Sequence, residues 1–316
     1  MARRTRRRFL VESASTTAFV ALGLGCQRSS ARRRPEDVRE IEQVFQAMRS
    51  RDGAGVSLRR AVGHRGLPML DPFLLLDEIH SDRPEDYQAG FPTHPHRGFE
   101  TVSYLIDGRF EHSDSVGNAG IIGPGDCQWM TAGRGIVHSE MPRQEPGKDL
   151  WGLQLWINLP AKLKMTEPRY QEIGARSIPE LELGDAHARL VAGKLAGRKG
   201  PIDGVATSPT LLDVTLPAGA VYRHSLPQGD TSFVYVLAGE VRFGQQGKAV
   251  AEGYTGVFNK GAHMVASAER GGRFLLFSAA PIGEPVARRG PFVMNTEDEI
   301  RQAFEDYRSG RLVSGS

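Results

Sequence analysis

Cysteine and long apolar runs are scarce in this sequence of 316 residues. The two cysteines, Cys26 and Cys127, cannot build the disulfide framework that stabilises small secreted domains. We expect Cys127 to be a small buried residue within a strand. A weakly apolar stretch at residues 18–25 is too short to span a bilayer, which takes about 20 residues. The composition therefore excludes a disulfide scaffold.

A large excess of one charge is also absent. The chain holds 40 basic and 37 acidic residues, which gives a formal charge of +3. Residues 1–26 contain five arginines and one glutamate, so the remainder has 35 basic against 36 acidic residues. A near-neutral remainder lacks the basic surface that binds nucleic acid. We therefore expect no nucleic-acid partner.

Residues 1–26 have the features of an export signal. The run TRRRFL at residues 5–10 resembles the twin-arginine export motif and is followed by the weakly apolar stretch. Cys26 resembles the lipid-attachment cysteine of bacterial lipoproteins, although Gly23 stands where those signals usually have leucine. We expect export to the periplasm, with Cys26 as the candidate site for a lipid anchor. The alternative is an arginine-rich leader on a cytoplasmic protein.

Glycine and proline are plentiful, with 37 and 19 residues. From residue 53 onward, short apolar runs alternate with Gly, Asp and Pro, which is typical of antiparallel β domains. A chain of this length exceeds what one hydrophobic core usually serves. We predict an all-β protein with a first domain at residues 53–160, a connecting segment at 161–208 and a second domain at 209–290. Inside the first domain, Asp107-Gly108 predicts a hairpin turn.

Two helices are predicted outside the β domains. Residues 27–52 are expected to form a tether and a short amphipathic helix, because apolar residues recur at helical spacing between residues 36 and 49. Residues 291–316 are expected to form a helix and a tail. Thr296 and Glu299 have the spacing of a capping box, which marks the start of that helix.

Two pairs of metal-ligating residues are the clearest chemical signal. His94 and His96 flank Pro95, and His138 and Glu140 form the second pair. Residues two apart in an extended strand point the same way, and Pro95 favours extended chain at His94. Three imidazoles and a carboxylate suit Fe(II), Mn, Ni, Cu or Zn, and leave two positions of an octahedral ion open. The pattern predicts a metal site for chemistry or sensing.

The second domain has no such pair. His224 and His263 stand alone in it, and a lone histidine is more often structural than a metal ligand. We therefore expect no metal site within residues 209–290, and we interpret this domain as a scaffold that packs against the first.

Long motifs around the histidines closely resemble the pirin family of bicupins. The matching segments, in the family's order and spacing, lie at residues 71–78, 90–102, 125–142 and 154–160. The resemblance extends from about residue 53 to residue 290. It implies two stacked, jelly-roll-type cupin barrels with metal in the N-terminal barrel only. It also implies that the metal is Fe(II), as in the best-known members, and that its ligands are His94, His96, His138 and Glu140.

Four further residues are candidates for supporting the site. Glu100 has the spacing at which many other cupins use a glutamate as a ligand, and strand alternation places it on the ligand face. The pirin resemblance favours Glu140, so we expect Glu100 to orient a histidine or a bound water. Arg134 is a candidate for holding a substrate oxygen, or for bonding to backbone carbonyls. His112 and Trp129 are candidates for the pocket, with structural roles as the alternative.

The resemblance also implies an activity. Bacterial pirins resemble quercetin 2,3-dioxygenases, which cleave a flavonol ring with O₂. We therefore predict a monomeric iron enzyme that acts on a flavonol or another enediol or catechol, with Glu140 as general base. The main alternative is a non-enzymatic, iron-dependent regulator that senses redox state or binds a partner. A seed-storage-like or isomerase cupin is a third alternative.

Overall fold

The computed structural model describes residues 37–143 and 149–313, which belong to one compact unit. Residues 1–36 lie outside the described residues. The export signal, the lipid anchor at Cys26 and the localisation that depends on them therefore stay predictions. No helix in the described part of the chain is long and apolar enough to cross a membrane.

Two antiparallel sheets make up the first half of the molecule. The strands up to residue 173 are β1 (Ile41–Gln46), β2 (Met48–Asp52), β3 (Val56–Val62), β4 (Phe73–Ser81), β5 (Phe91–His96), β6 (Phe99–Asp107), β7 (Arg109–Asp114), β8 (Ala119–Ile122), β9 (Cys127–Thr131), β10 (Ile136–Arg143), β11 (Leu150–Asn158) and β12 (Arg169–Ile173). The seven-stranded sheet has the order β12-β9-β6-β11-β4-β3-β2, and the four-stranded sheet has the order β5-β10-β7-β8. Apolar residues of both sheets, such as Leu105 and Phe110, pack together between them.

A ten-stranded sheet dominates the second half. The remaining elements are β13 (Glu180–Leu183), β14 (Ala186–Ala192), β15 (Lys194–Leu195), β16 (Arg198–Lys199), β17 (Thr210–Leu216), β18 (Val221–Ser225), β19 (Thr231–Phe243), β20 (Lys248–Ala251), β21 (Tyr254–Phe258), β22 (His263–Ser267), β23 (Gly272–Ala279), β24 (Ala287–Arg289), β25 (Phe292–Met294) and α1 (Glu297–Arg308). The main path is β1-β21-β19-β23-β17-β14-β13, and the long strand β19 continues into pairing with β20 and β22. The pairs β15-β16 and β24-β25 form separate ribbons.

One apolar core joins the two halves. Tyr104 and Trp129 of the first half belong to the same buried cluster as Phe233 and Tyr235 of the second. A hydrogen bond crosses the same boundary, since the Tyr235 hydroxyl donates to Glu78 Oε2 at 2.5 Å. The prediction of two stacked cupin-like β domains is confirmed, although the sheets stay open and do not close into barrels.

The predicted amino-terminal helix is wrong. Residues 41–46 and 48–52 form β1 and β2 instead. β1 pairs with β21 in the second half, and β2 pairs with β3 in the first. A short apolar pattern fits a helix or a half-buried strand, and pairing with the edges of two sheets selects the strand. The segment thereby ties the two halves together.

The predicted hairpin at Asp107-Gly108 is also wrong. β6 pairs with β9 and β11, whereas β7 pairs with β8 and β10. Gly108 has a φ of +80°, and a Cβ there would lie 2.9 Å from the Asp149 carbonyl oxygen. The glycine is therefore needed for the turn, but the turn carries the chain from one sheet to the other. The residues of a turn determine its local backbone conformation, but they do not determine which strands pair.

The carboxyl-terminal segment, which comprises β24, β25 and α1, contacts the first half. α1 begins at the predicted capping box, in which the Thr296 hydroxyl accepts from the Glu299 amide. β25 is joined to the first half by a parallel bridge between Phe292 and Arg97. Arg97 also forms an ion pair with Asp306 of α1, at 2.8 Å. These contacts place residues 291–294 beside β5, which carries the first two predicted ligands.

Lys164 completes this junction. Its buried ammonium donates to the carbonyl oxygens of Gly98 and Val293, at 2.8 and 3.0 Å, and to Asn158 Oδ1 at 2.6 Å. Burial lowers the pKa of Lys164 to about 8. One side chain thus joins the connecting segment, the first half and the carboxyl-terminal segment.

We expect His224 in the second half to make the protein sensitive to acid. Burial lowers the pKa of His224 to about 4, whereas an unfolded histidine titrates near 6.5. Between these values the unfolded chain binds a proton that the folded chain does not, so stability falls as the pH falls below about 6.5. Replacing His224 with glutamine should remove about 2–3 kcal/mol of the stability difference between pH 7 and pH 4.5.

Urea unfolding of the chelator-treated protein at both pH values measures this effect. The exposed His187, which lies beside Glu182, offers a control, because its replacement by glutamine should leave the difference unchanged. Equal pH dependence in wild type and His224→Gln would contradict the prediction.

Candidate metal centre

Two neighbouring strands bring three predicted ligands together. His94 and His96 alternate with Pro95 along β5, so their side chains share one face. On β10, His138 is the direct register partner of His94. A register shift separates His138 from Glu140, which is paired with Phe91. The strand pair therefore positions the three imidazoles side by side.

The spacing of the three histidines suits a single metal ion. One ring nitrogen of each lies within 4.8 Å of those of the other two. The Nε2 atoms of His94 and His96 are 3.1 Å apart. Two adjacent nitrogen ligands on an octahedral ion, with bonds of about 2.1 Å, stand about 3 Å apart. The observed separation therefore matches that of neighbouring ligands.

The surroundings of the rings keep the ligand nitrogens available. His94 Nδ1 donates to the Pro92 carbonyl at 2.8 Å, and His96 Nδ1 to the Pro291 carbonyl at 3.3 Å, so each Nε2 keeps its lone pair. His138 is buried, and neither of its ring nitrogens has a hydrogen-bond partner. Burial lowers the pKa of His96 and His138 well below the usual value. Imidazoles whose ring nitrogens keep a free lone pair, as in all three of these residues, can bind a divalent metal ion.

The fourth predicted ligand, Glu140, lies outside the cluster of three histidines. Its carboxylate accepts hydrogen bonds from Ser103 Oγ at 2.7 Å and from Gln154 Nε2 at 2.6 Å. Glu140 is buried two residues beyond His138 on the same strand, but it does not belong to the cluster of three histidines. Glu140 as a metal ligand therefore stays a prediction.

A cavity of about 590 Å³ opens onto His94 and His96. Its lining contains apolar side chains, a glutamine, two arginines and two aspartates. The residues that line it include His94, His96, Leu75, Phe91, Gln154, Trp156, Asp52, Asp77, Arg60, Arg288 and Pro291. Trp156 contacts the His96 ring, with centroids 5.2 Å apart. The cavity is large enough for a small organic molecule.

Glu100 lies away from this cavity. Its Oε1 accepts from Thr131 Oγ1 at 2.8 Å, and it lines a separate cavity of about 290 Å³ beside the connecting segment. Phe99 and Ser103, at odd positions of β6, face His96 and Glu140, so Glu100 is on the opposite face of the strand. Burial raises the pKa of Glu100 to about 7. The expectation that it faces the ligands is wrong.

Two further candidates also lie elsewhere. Trp129 is fully buried in the core between the halves, beside Cys127, which is buried within a strand as predicted. The Arg134 guanidinium forms an ion pair with Glu167 at 2.9 Å. Neither Trp129 nor Arg134 lines the cavity at the histidines.

His112, in contrast, lies next to the cluster of three histidines. Its ring centroid is 5.4 Å from that of His138 and 4.7 Å from that of Tyr170. Gln128 Nε2 donates to His112 Nδ1 at 2.9 Å, and His112 Nε2 donates to Asp114 Oδ2 at 3.3 Å. Both ring nitrogens of His112 are therefore engaged in hydrogen bonds, and the ring packs against His138 and supports its position.

Several residues at the site were not selected from the sequence. Gln154 and Trp156 stand two apart on β11, and this spacing signals that they share one face. Ser103 carries no such signal. Arg288 and Pro291 are brought to the site from the carboxyl-terminal segment, so only the folded chain identifies them.

We expect Gly98 to be indispensable for the junction beside the histidines. Gly98 has a φ of +89°, and a Cβ on it would overlap with the Val293 carbonyl oxygen. Gly98→Ala should therefore lower the free energy of unfolding by about 2–4 kcal/mol. Gly283 is a matched control, since it has a φ of +70° but no atom within 4 Å of the added Cβ. If urea unfolding shows the two alanine variants to be equally destabilised, contact with Val293 is unimportant.

Both halves of the chain match known proteins. The Pirin family model matches residues 55–157, and the Pirin C-terminal cupin domain matches residues 211–313. A pirin-like protein from Caulobacter vibrioides is 44% identical over 278 residues, which cover 87% of this chain and 99% of that protein. Pirin from Homo sapiens is 42% identical over 267 residues, covering 82% of this chain and 89% of that protein.

A solved structure agrees with these relatives. The crystal structure of quercetin 2,3-dioxygenase from Acinetobacter baumannii has a TM-score of 0.81 and 34% identity, and the match covers 88% of this chain and 99% of that one. The relatives and the solved structure cover most of this chain, and the two family models account for both of its halves. The chain therefore belongs to the pirin family.

Proposed function

We propose that this pirin family member is an iron-dependent dioxygenase that uses O₂ to open a ring of a flavonol or a related enediol or catechol. The observation that carries the proposal is the cluster of three histidines, two of which, His94 and His96, line a cavity of about 590 Å³. The similarity to the quercetin 2,3-dioxygenase of Acinetobacter baumannii supports this substrate class.

His94, His96 and His138 would hold the ion, with Glu140 as the nearby carboxylate. A bound Fe(II) supplies Lewis acidity and an electron path between the substrate and O₂. The imidazole donors also suit Mn, Ni, Cu or Zn, and Fe(II) is our choice within that set. The carbonyls of Pro92 and Pro291 would keep two of the rings in the ligating tautomer.

The cavity walls would position a flat aromatic substrate. Leu75, Phe91 and Trp156 offer apolar surface for its rings, and Gln154 offers a polar contact. Gln154 also donates to Glu140, so it connects the cavity with that carboxylate.

Glu140 is the group that we assign to proton transfer. A flavonol must lose its 3-hydroxyl proton before its ring can be oxidised. Glu140 would accept that proton on Oε2, the oxygen now bonded to Gln154, while Ser103 keeps hold of Oε1. A general base in this position typically accelerates a reaction by about 10²–10⁴-fold.

Oxygen uptake tests the proposal. Protein purified anaerobically and loaded with Fe(II) is mixed with quercetin and with a panel of flavonols and catechols, while O₂ and ring-opened products are measured. We expect substrate-dependent O₂ consumption in proportion to product. Absence of uptake while the iron stays bound would reject the enzymatic function.

A redox-sensing role is the second candidate, because His96 is hydrogen-bonded to Pro291 of the carboxyl-terminal segment. A change in the charge of the ion would alter this bond and the position of the segment. Partners that bind only the Fe(II) or only the Fe(III) protein, without turnover, would favour sensing over catalysis.

A further inference from the structure

Arg288 is a cationic side chain that the second half contributes to the cavity of the first. It lies on β24 and lines the same cavity as His94 and His96. Its guanidinium carbon is 4.7 Å from the centre of the Trp156 ring, which in turn contacts His96. Its Nη1 donates to the Leu74 carbonyl at 2.9 Å. The stacking and this bond determine where the guanidinium lies.

The two arginines of the cavity differ in their partners. Arg60 Nε and Nη2 donate to the two oxygens of Asp77, at 2.8 and 2.7 Å, and Nη2 also contacts Asp52 at 2.6 Å. Arg288 makes no ion pair with any described residue. Asp77 affects its pKa only through the electrostatic field of the carboxylate, without a direct contact. Burial of the Arg288 guanidinium lowers its pKa. A partly desolvated cation without a contacting carboxylate favours an anionic ligand.

We propose that Arg288 determines specificity by binding an anionic oxygen of the ligand whose other end lies at the three histidines. A guanidinium stacked on an aromatic ring can still donate from its edge. With Nη1 bonded to Leu74, the N–H groups of Nε and Nη2 are the pair that matches the two oxygens of a carboxylate. The favoured substrate is then an aromatic enediol or catechol that carries a negative charge. The inference rests on the proposed function for the catechol end of that ligand.

A pair of probes that differ in one group tests the assignment. 3,4-Dihydroxybenzoate and 4-methylcatechol share the catechol, and only the first carries a carboxylate. Binding to the Fe(II)-loaded protein is measured by equilibrium dialysis without O₂, so that no turnover occurs. We expect the wild type to bind the carboxylated probe at least about tenfold more tightly, a typical gain for a charge-assisted bidentate contact.

Arg288→Gln should abolish this preference and change the affinity for 4-methylcatechol less than threefold. Arg288→Lys, which keeps the charge but not the paired donors, should retain part of the preference. Arg289→Gln is the matched control, because Arg289 is the adjacent exposed arginine and pairs with Glu297 at 3.1 Å. It should leave both affinities unchanged.

The outcomes separate the two proposals. Equal affinities of the wild type for both probes, or an equal loss of both in Arg288→Gln and Arg288→Lys, would overturn the role of Arg288. A preserved preference in a protein that consumes no O₂ with any substrate would reject the dioxygenase and support the role of Arg288. Failure of both probes to bind would reject the catechol cavity and this assignment together.

Discussion

Replacing His138 with alanine should abolish specific metal binding. His138 is buried, both of its ring nitrogens lack partners, and it belongs to the group of three ligand nitrogens. Loss of an outer hydrogen-bond partner already costs about 10–100-fold in metal affinity, so loss of a ligand should cost at least about 100-fold. At a metal concentration about 100 times Kd, the wild type should gain about 2.7 kcal/mol of stability. His138→Ala, with an affinity at least about 100-fold lower, should gain no more than about 0.4 kcal/mol.

Thermal unfolding with and without Fe(II) under anaerobic conditions, together with metal analysis, measures both effects. His187→Ala is the control, since His187 is exposed and pairs with Glu182 far along the sequence from the ligands. The control should gain as much stability from the metal as the wild type. A metal-dependent gain that survives in His138→Ala would show that the ion binds elsewhere.

Glu140→Gln should retain most of the bound iron and lose most of the turnover. Three imidazoles remain as ligands, so we expect the affinity for iron to fall by about tenfold, the lower end of the loss that a changed outer partner causes. Glutamine cannot accept the substrate proton, so the rate of flavonol oxidation should fall by about 10²–10⁴-fold. Anaerobic metal titration and oxygen uptake, measured on the same preparation, separate the two roles.

The matched control is Glu111→Gln. Glu111 is a partly exposed glutamate on the neighbouring strand β7, where it pairs with Arg143. Its replacement should alter neither iron content nor turnover. If Glu140→Gln loses iron as completely as His138→Ala, Glu140 acts chiefly as a ligand. If turnover persists with full iron content, another group takes the proton.

The histidine pairs could be predicted from the sequence because they depend on local geometry. Alternation along a strand brings residues i and i+2 to one face, and Pro95 keeps His94 extended. The prediction for Glu100 used the same rule and was wrong. β5 ends at His96 and β6 begins at Phe99, with Gly98 at a φ of +89° between them. A residue with positive φ interrupts the strand, so alternation cannot be counted across it.

The prediction of an amino-terminal helix failed for a different reason. The segment at residues 41–46 is short, and its apolar pattern is compatible with a helix or a strand. The choice depends on the free edge of β21, which is more than 200 residues away in the chain. No window of local sequence contains that partner.

The amino-acid sequence alone was sufficient for the β class, the family resemblance, the capping box of α1 and the placement of three histidines on adjacent extended segments. Each of these depends on neighbouring residues or on long motifs. The tertiary structure decided which side chains surround the histidines. It placed Pro291 and Arg288 beside His96, bonded Glu140 to Ser103 and Gln154, and turned Glu100 away. These contacts join residues far apart in the chain, so only packing of the two halves and return of the carboxyl-terminal segment create them.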